Sequence, residues 1–261
     1  MGMNTLTVGG VDLTATYGVY VDSSMSFDKP KKNVETVSIP GRNGDLVIDY
    51  GTFQNIVVTY PCYIRGNFDT NFNSMMKALA VMSGYQKITC SNDSTHFREG
   101  VPLIQQSPTV KRINKDGYFD LAFNCKPQRF LSGQSSVTIP SASSDSGGLT
   151  KDNTNGLTLA PIISVSGYGA IKFRARFGTH FFDIITITVA NNSELLPITI
   201  NCEKMECYGG ASPFLHSCNN LVSFSPNNYP SVPTGGSATI WVDSSNNHFS
   251  SAKIAWREWD I

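Results

Sequence analysis

Cys202, Cys207, His216 and Cys218 are the residues of this chain whose types could together hold a metal ion. Zinc takes thiolate and imidazole donors in close pairs, commonly about two to four residues apart within a pair, because one short turn must bring both to a tetrahedral centre. Here four residues separate Cys202 from Cys207 and one separates His216 from Cys218, which departs from that spacing. Cys202 also continues an alternation with Ile198 and Ile200, so burial in a strand accounts for it without a metal. Hydrolytic chemistry needs a nucleophile, a base and an orienting group in one place. The four histidines, His96, His180, His216 and His248, lie far apart, and none sits in a nucleophile motif. Gly147-Gly148 and Gly235-Gly236 lack the strand-to-helix setting and the lysine of a phosphate-binding loop. The expectation is a protein that is not an enzyme and carries no cofactor or metal.

Two further groups point to binding. Sugar sites set a flat aromatic beside polar donors, and the second half of the chain carries Tyr168, His180, Trp241, Trp256 and Trp259. Trp241, Trp256 and Trp259 are therefore a candidate saccharide or partner surface, while the same rings are also the ordinary filling of a β core. Lys29, Lys31 and Lys32, with Lys111-Arg112, form a basic group that could line a channel for DNA or lie on a solvated turn.

Composition limits the partners. Lysine plus arginine and aspartate plus glutamate both number 20 in 261 residues, and charged residues make up only 15%. Such a neutral chain does not condense on DNA or an anionic membrane by bulk electrostatics. The N-terminus has neither the basic segment and apolar run of a signal peptide nor, with Leu6, a myristoylation pattern. No apolar run reaches the roughly 18 residues of a membrane span. The expectation is a soluble protein made in a cytoplasm, its six scattered cysteines reduced and mostly buried.

These residues are carried by β elements. Thr5 to Tyr20, with Gly9-Gly10, reads as a short hairpin. Val34 to Ile39 and Leu46 to Tyr50 read as hairpin arms around Pro40-Gly41-Arg42-Asn43-Gly44, where Asn43-Gly44 is a strong turn signal. From Phe53 to Ile64 one face repeats every second residue, and Pro61 predicts an edge or a bulge. One helix is predicted near 69–83, capped by Asp69 or Thr70 and stopped by Gly84, with Phe72, Met75, Met76 and Leu79 on one stripe. Phe119, Leu121, Phe123 and Cys125 alternate with polar neighbours. Residues 131–152, rich in serine and glycine, read as a linker, which places domains at 1–130 and 153–261. The second domain is again β: many short strands with turn-rich spacers predict an antiparallel sandwich.

In this order the pieces resemble the distal tail protein (Dit) family of long-tailed, non-contractile bacteriophages. The carriers in the first half are Tyr17-Gly18-Val19, the run Ile39, Pro40, Gly41, Arg42, Asn43, Gly44, Asp45 and Leu46, then Phe53-Gln54-Asn55, the helix ending at Gly84, and Phe123 to Pro127. In the second half they are Asn155-Gly156, Ala160 to Gly169, Ile198 to Tyr208, Pro233 to Gly236 and the ending Trp256 to Ile261. The family usually ends in a Pro-Arg-Trp-Trp-like run, from which Ala255 to Trp259 departs, and Asn201 stands where Asp is common. The resemblance implies an all-β protein with one helix. It comprises an N-terminal β-sandwich or split barrel that closes a homohexameric ring, possibly two stacked rings, and a C-terminal galectin-like antiparallel sandwich. It implies a virion tail-tip location, with Ile39 to Leu46 as an inter-subunit hairpin. The implied partners are tail tube protein, tail-associated or tail-fibre protein, and receptor-binding or baseplate proteins. DNA passes only in transit, and a host cell-wall saccharide is a further partner. The alternative from the residues alone is a lectin-like, two-domain carbohydrate-binding protein.

Overall fold

A computed structural model of the chain describes all residues except 1–2, 23–25, 28, 105–109, 134–135, 140–147, 154–157, 178, 190–195, 211–214, 225–229, 233–234 and 244–248, and the side chains of 26–27 and 181–183. Asn155-Gly156, Gly147 and His248 lie outside the described residues, as does much of the expected linker. The chain divides into two units, Met1–Ser132 with Ile261, and Gly133–Asp260.

In the first unit, β1 (Leu6–Val8) turns through Gly9 and Gly10 into β2 (Val11–Asp12). Both glycines take positive φ, +58° and +85°, as a two-residue hairpin loop of matching twist requires. The sequence reading continues this hairpin to Tyr20, but a helix, α1 (Leu13–Tyr17), intervenes. Asp12 caps it by accepting from the N–H groups of Thr14 and Ala15, both at 2.9 Å, and Gly18 ends it at φ +67°. There follow β3 (Val19–Val21), β4 (Ser26–Phe27), β5 (Lys32–Val37), β6 (Leu46–Phe53), β7 (Ile56–Ile64), α2 (Phe68–Ala80), β8 (Gln86–Cys90), β9 (His96–Pro102), β10 (Lys111–Ile113) and β11 (Asp116–Leu131).

The sheet order is β2-β1-β8-β9-β11-β7-β3, with β4 also on β7 and β10 on β11. The sheet curls until its ends meet. Asn4 and Val21 exchange backbone hydrogen bonds of 3.3 and 3.0 Å, and the Thr14 hydroxyl links the Leu6 N–H to the Val19 carbonyl. This is a split barrel. Leu6, Val19, Ile64, Phe123 and Cys125 have no exposed surface and fill it, together with Met75 and Leu79 of α2. Phe119 and Leu121 join them, as their alternation predicts.

Two local expectations change. The helix starts at Phe68 rather than Asp69, with Asn67 in left-handed conformation making no side-chain cap. Phe68 is drawn in because its ring is buried and lies flat over Gly117, where any Cβ would stand 2.3 Å from the ring. It ends at Ala80, and Gly84, at φ +68°, falls in the connection to β8. Pro61 lies inside the sheet rather than at its edge. Its carbonyl accepts from Asp22 N–H at 2.9 Å, so its nitrogen points toward the same side, between the pairings of β3 and β4. No ladder donor is lost there.

The second unit contains β12 (Ser136–Ile139), β13 (Leu149–Asp152), β14 (Pro161–Gly167), β15 (Gly169–Phe177), β16 (His180–Val189), β17 (Ile198–Asn201), β18 (Glu206–Gly209), β19 (His216–Ser217), β20 (Val222–Phe224), β21 (Ser237–Val242), β22 (Phe249–Trp256) and β23 (Trp259–Asp260). One antiparallel sheet runs β12-β22-β14-β17-β18-β19 and the other β13-β21-β15-β16-β20. Their inner residues, among them Ile163, Phe173, Ile187, Ile200 and Ile254, share one core. This is the expected sandwich. Ser136–Ile139 and Leu149–Asp152 lie in the stretch read as linker. They are edge strands whose polar composition follows from having little surface to bury, Ile139 being the residue that enters the core.

Candidate assembly surface

The hairpin β5–β6 pairs with nothing but itself among the described residues. Its register is Val37↔Leu46, Thr36↔Val47, Glu35↔Ile48 and Val34↔Asp49. Gly41 and Gly44, at φ +83° and +80°, form the turn, in which Arg42 N–H donates to the Ile39 carbonyl at 3.1 Å. At the root the register slips between Val34↔Asp49 and Lys32↔Phe53, with Gly51 at φ +68° on the longer arm. Cross-strand polar pairs hold the ribbon. Lys32 Nζ meets Asp49 Oδ2 at 3.0 Å, Tyr50 donates its hydroxyl proton to Glu35, and Asn33 donates to Thr52. Gly51 N–H and then Lys32 hold the Asp49 carboxyl below the usual carboxylate range.

The strand period puts Glu35, Val37, Leu46, Ile48 and Tyr50 on one face and Val34, Thr36, Val47 and Asp49 on the other. These apolar groups face water. Val47 is 60% exposed, Tyr50 58%, Val34 48%, and Val37, Ile39, Leu46 and Ile48 each 38%. A two-stranded ribbon is marginal in water, and edges unpaired among the described residues beside exposed apolar side chains have the features of a candidate association surface.

Lys29, Lys31 and Lys32 lie at the foot of this hairpin. Lys29 and Lys31 are exposed and border a hollow of about 490 Å³ with Gln54, Asn55, Ile56 and Val57. Lys32 is committed to Asp49. Arg112 is bound to Asp69.

The second unit does not make the expected aromatic surface. Trp256, 6% exposed, is turned by β22 into the core with Ala252 and Ile254, whereas Trp241, though only 4% exposed, alternates with the core residues Ile240 and Val242 and lies on the other face of β21. Trp259 is half-buried and its indole N–H donates to the Thr158 carbonyl at 3.1 Å. The structure does gather Cys202, Cys207 and Cys218 into one buried neighbourhood. Cys218 N–H donates to the Cys207 carbonyl at 2.9 Å, while His216 points to solvent. Burial, and then the neighbouring Cys218, push the Cys207 thiol up to about 12. Among the described residues no three His, Cys, Asp or Glu side chains are arranged around a metal position. His96 is held in its own turn by Asp93 and Thr95.

One surface has no local sequence signal. Tyr20, Tyr63 and Tyr118 stand side by side on β3, β7 and β11, with centroids 5.4 and 5.8 Å apart, and Lys111 of β10 is paired with Tyr118. Tyr63, Tyr118 and Lys111, with Asp22, Arg65, Asp116 and Asp120, line an open groove of about 730 Å³ on the outer face of the barrel. Burial and the two neighbouring tyrosines raise the Tyr63 hydroxyl pKa.

No protein-family model matches the sequence, and a search of curated proteins finds no match. Solved structures do match in fold. The Dit protein of phage SPP1, described as a paradigm of hub adsorption apparatus in phages infecting Gram-positive hosts, superposes with a TM-score of 0.59 at 13% identity, covering 100% of both chains. A chain of the phage P2 baseplate, in its activated conformation with calcium, gives 0.53 at 9% identity and 99% of both chains. The strontium form gives 0.53 at 10%.

Proposed function

We propose that this chain, which has the fold of phage distal tail and baseplate hub proteins along its whole length, is a structural, non-enzymatic hub of a phage tail tip. It forms a hexameric ring, joins the tail tube to tail-fibre, receptor-binding or baseplate proteins, and lets DNA pass through its centre. Lys29, Lys31 and Lys32 face that passage. The observation that carries this reading is the β5–β6 hairpin, a projecting ribbon whose apolar side chains and backbone edges have no partner within the described chain. A neighbouring molecule would cover them, and a contact of one surface with a different one closes into a ring when its rotation allows.

A free-standing saccharide-binding module is the weaker reading, since Trp241 and Trp256 are buried and offer no platform. Multi-angle light scattering with negative-stain imaging tests the hub. A six-fold ring with an open centre is expected, alone or with the tail tube protein. A chain that stays monomeric under both conditions overturns the reading.

A further inference from the structure

We infer that Cys207 and Cys218 are a redox pair, open as thiols in a reducing medium and joined as a disulfide in an oxidising one. Strand register carries this. β18 and β19 run antiparallel with Tyr208 opposite Ser217 and Gly209 opposite His216. One step along that ladder sets Cys207 opposite Cys218, and Cys218 N–H donates to the Cys207 carbonyl at 2.9 Å. Residues facing each other in a hydrogen-bonded antiparallel pair have Cα atoms about 5.5 Å apart. A disulfide spans about 4.4–6.8 Å between Cα atoms, so the backbone already stands at bonding distance. Opposite residues share a face of the sheet, and both thiols belong to the sandwich core. In the open form Cys218 Sγ makes only a weak contact with the His216 carbonyl, at 3.5 Å, which a turn about χ1 releases.

The other cysteines face different residues across their ladders. Cys62 stands opposite Phe119 and Val21, Cys90 opposite Leu6, and Cys125 opposite Ile56 and Gly100. Cys202 follows Ile200, the residue facing Cys207, by two positions. It is therefore a diagonal neighbour, about 7–8 Å away and at the limit of a bond.

Access comes from the edge. β19 is two residues long, ends its sheet, and exposes His216 and Ser217. Such short edges open locally at low cost. Burial raises the Cys207 thiol to about 12, so it reacts when the edge is open rather than closed. The oxidant is a small disulfide such as oxidised glutathione. One protein thiolate attacks a reagent sulfur, which gives a mixed disulfide and releases one glutathione thiol. The second protein thiolate attacks the protein sulfur of that mixed disulfide and releases the other glutathione. Two protein thiols have then lost two electrons and two protons, and the reagent has gained both. The new bond fastens β19 to β18.

The test incubates the folded full-length protein overnight in glutathione buffers of rising oxidised fraction at mildly alkaline pH. Free thiols are then alkylated in denaturant and the peptides mapped by mass spectrometry without reduction. A Cys207–Cys218 peptide, lighter by two hydrogens, should be the dominant link and should disappear with dithiothreitol. Closing the 207–218 loop should raise the melting midpoint of the second unit by about 5–10 °C, reversibly. Cys202→Ser should keep both the link and the shift, whereas Cys218→Ser should lose both. The pairing is overturned if Cys207 and Cys218 are still fully alkylated after the most oxidising buffer. It is equally overturned if Cys202 takes either partner in comparable yield, or if the link forms and the melting midpoint falls. The wild-type mapping decides the matter even where a serine variant folds poorly, and no outcome depends on ring formation.

Discussion

Replacing Leu46 and Ile48 by serine should weaken assembly and leave the fold intact. Each side chain keeps 38% of its surface in water in the single chain. Burying a whole leucine or isoleucine side chain is worth about 1.5–3 kcal/mol, so the exposed share offers about 0.6–1.1 kcal/mol on docking. The pair then contributes about 1.2–2.2 kcal/mol per contact, or roughly seven- to forty-fold in affinity. Each subunit supplies one hairpin to a ring, so the midpoint subunit concentration should rise by about the same factor. Neither residue belongs to either core, so the melting temperature of the dissociated chain should not move. Light scattering across a dilution series reads the midpoint and calorimetry reads the fold. Val81→Ser, at an apolar position 83% exposed beyond α2, is the control and should change neither. An unchanged midpoint in the double variant would refute the reasoning. So would a large drop in melting temperature, because the two side chains would then serve the fold.

Gly117→Ala should destabilise the first unit by about 1–3 kcal/mol in chemical denaturation, because a Cβ there meets the Phe68 ring at 2.3 Å. In a Phe68→Leu background the same change should cost less, and equal costs would show that the ring is not the obstacle. Arg257 Nη1 lies 2.7 Å from Glu203 Oε2, and these side chains are only 12% and 14% exposed. Arg257→Ala should cost about 2–4 kcal/mol by taking the guanidinium away from a largely buried carboxylate, and the double alanine variant less than the sum of the singles. Additive costs would dissolve that coupling. All six cysteines are free and buried. Thiol reagent should label none quickly in the native protein and all after denaturation; fast native labelling of Cys207 would contradict its burial. Burial raises these thiols above the ordinary 9.0, as with Cys207 at about 12, so the folded state prefers them protonated. Their contribution is complete below pH 9 and drains as pH climbs toward the folded value. Melting temperature should therefore hold from pH 7 to about 9 and fall above it; a flat curve to pH 11 would show that these groups do not govern alkaline stability.

Local chemistry made much of this legible. Asn43-Gly44 and the alternation on each side gave the hairpin, and Phe119 to Cys125 gave a half-buried strand. Asp12 and Gly18 do carry helix start and stop signals, but α1 is five residues long and its apolar period never completes. Side-chain direction was harder. Valine, leucine and isoleucine read as core by type, yet on β5 and β6 they stay exposed among the described residues. Trp256 reads first as core filling and second as a sugar platform, and the packing of the second sheet decides for the core. The tyrosine row depends on pairing between strands distant in sequence, Tyr20↔Tyr63 and Tyr118↔Tyr63, so no single window contains it.

The slipped register at the root of the hairpin has a mechanical side. A bulge interrupts the ladder and concentrates twist, and Gly51 there has no Cβ to resist a change of angle. The four residues of β5 beyond it, 34–37, extend about 13 Å, so a turn of about 10° at the root swings the far end of the strand through roughly 2.3 Å. A ring clasped by such arms can widen or tighten around its neighbour in the tail while every barrel keeps its shape. In the proposed six-fold ring compliance would reside at each Gly51, and a bulkier residue at that position would stiffen the collar.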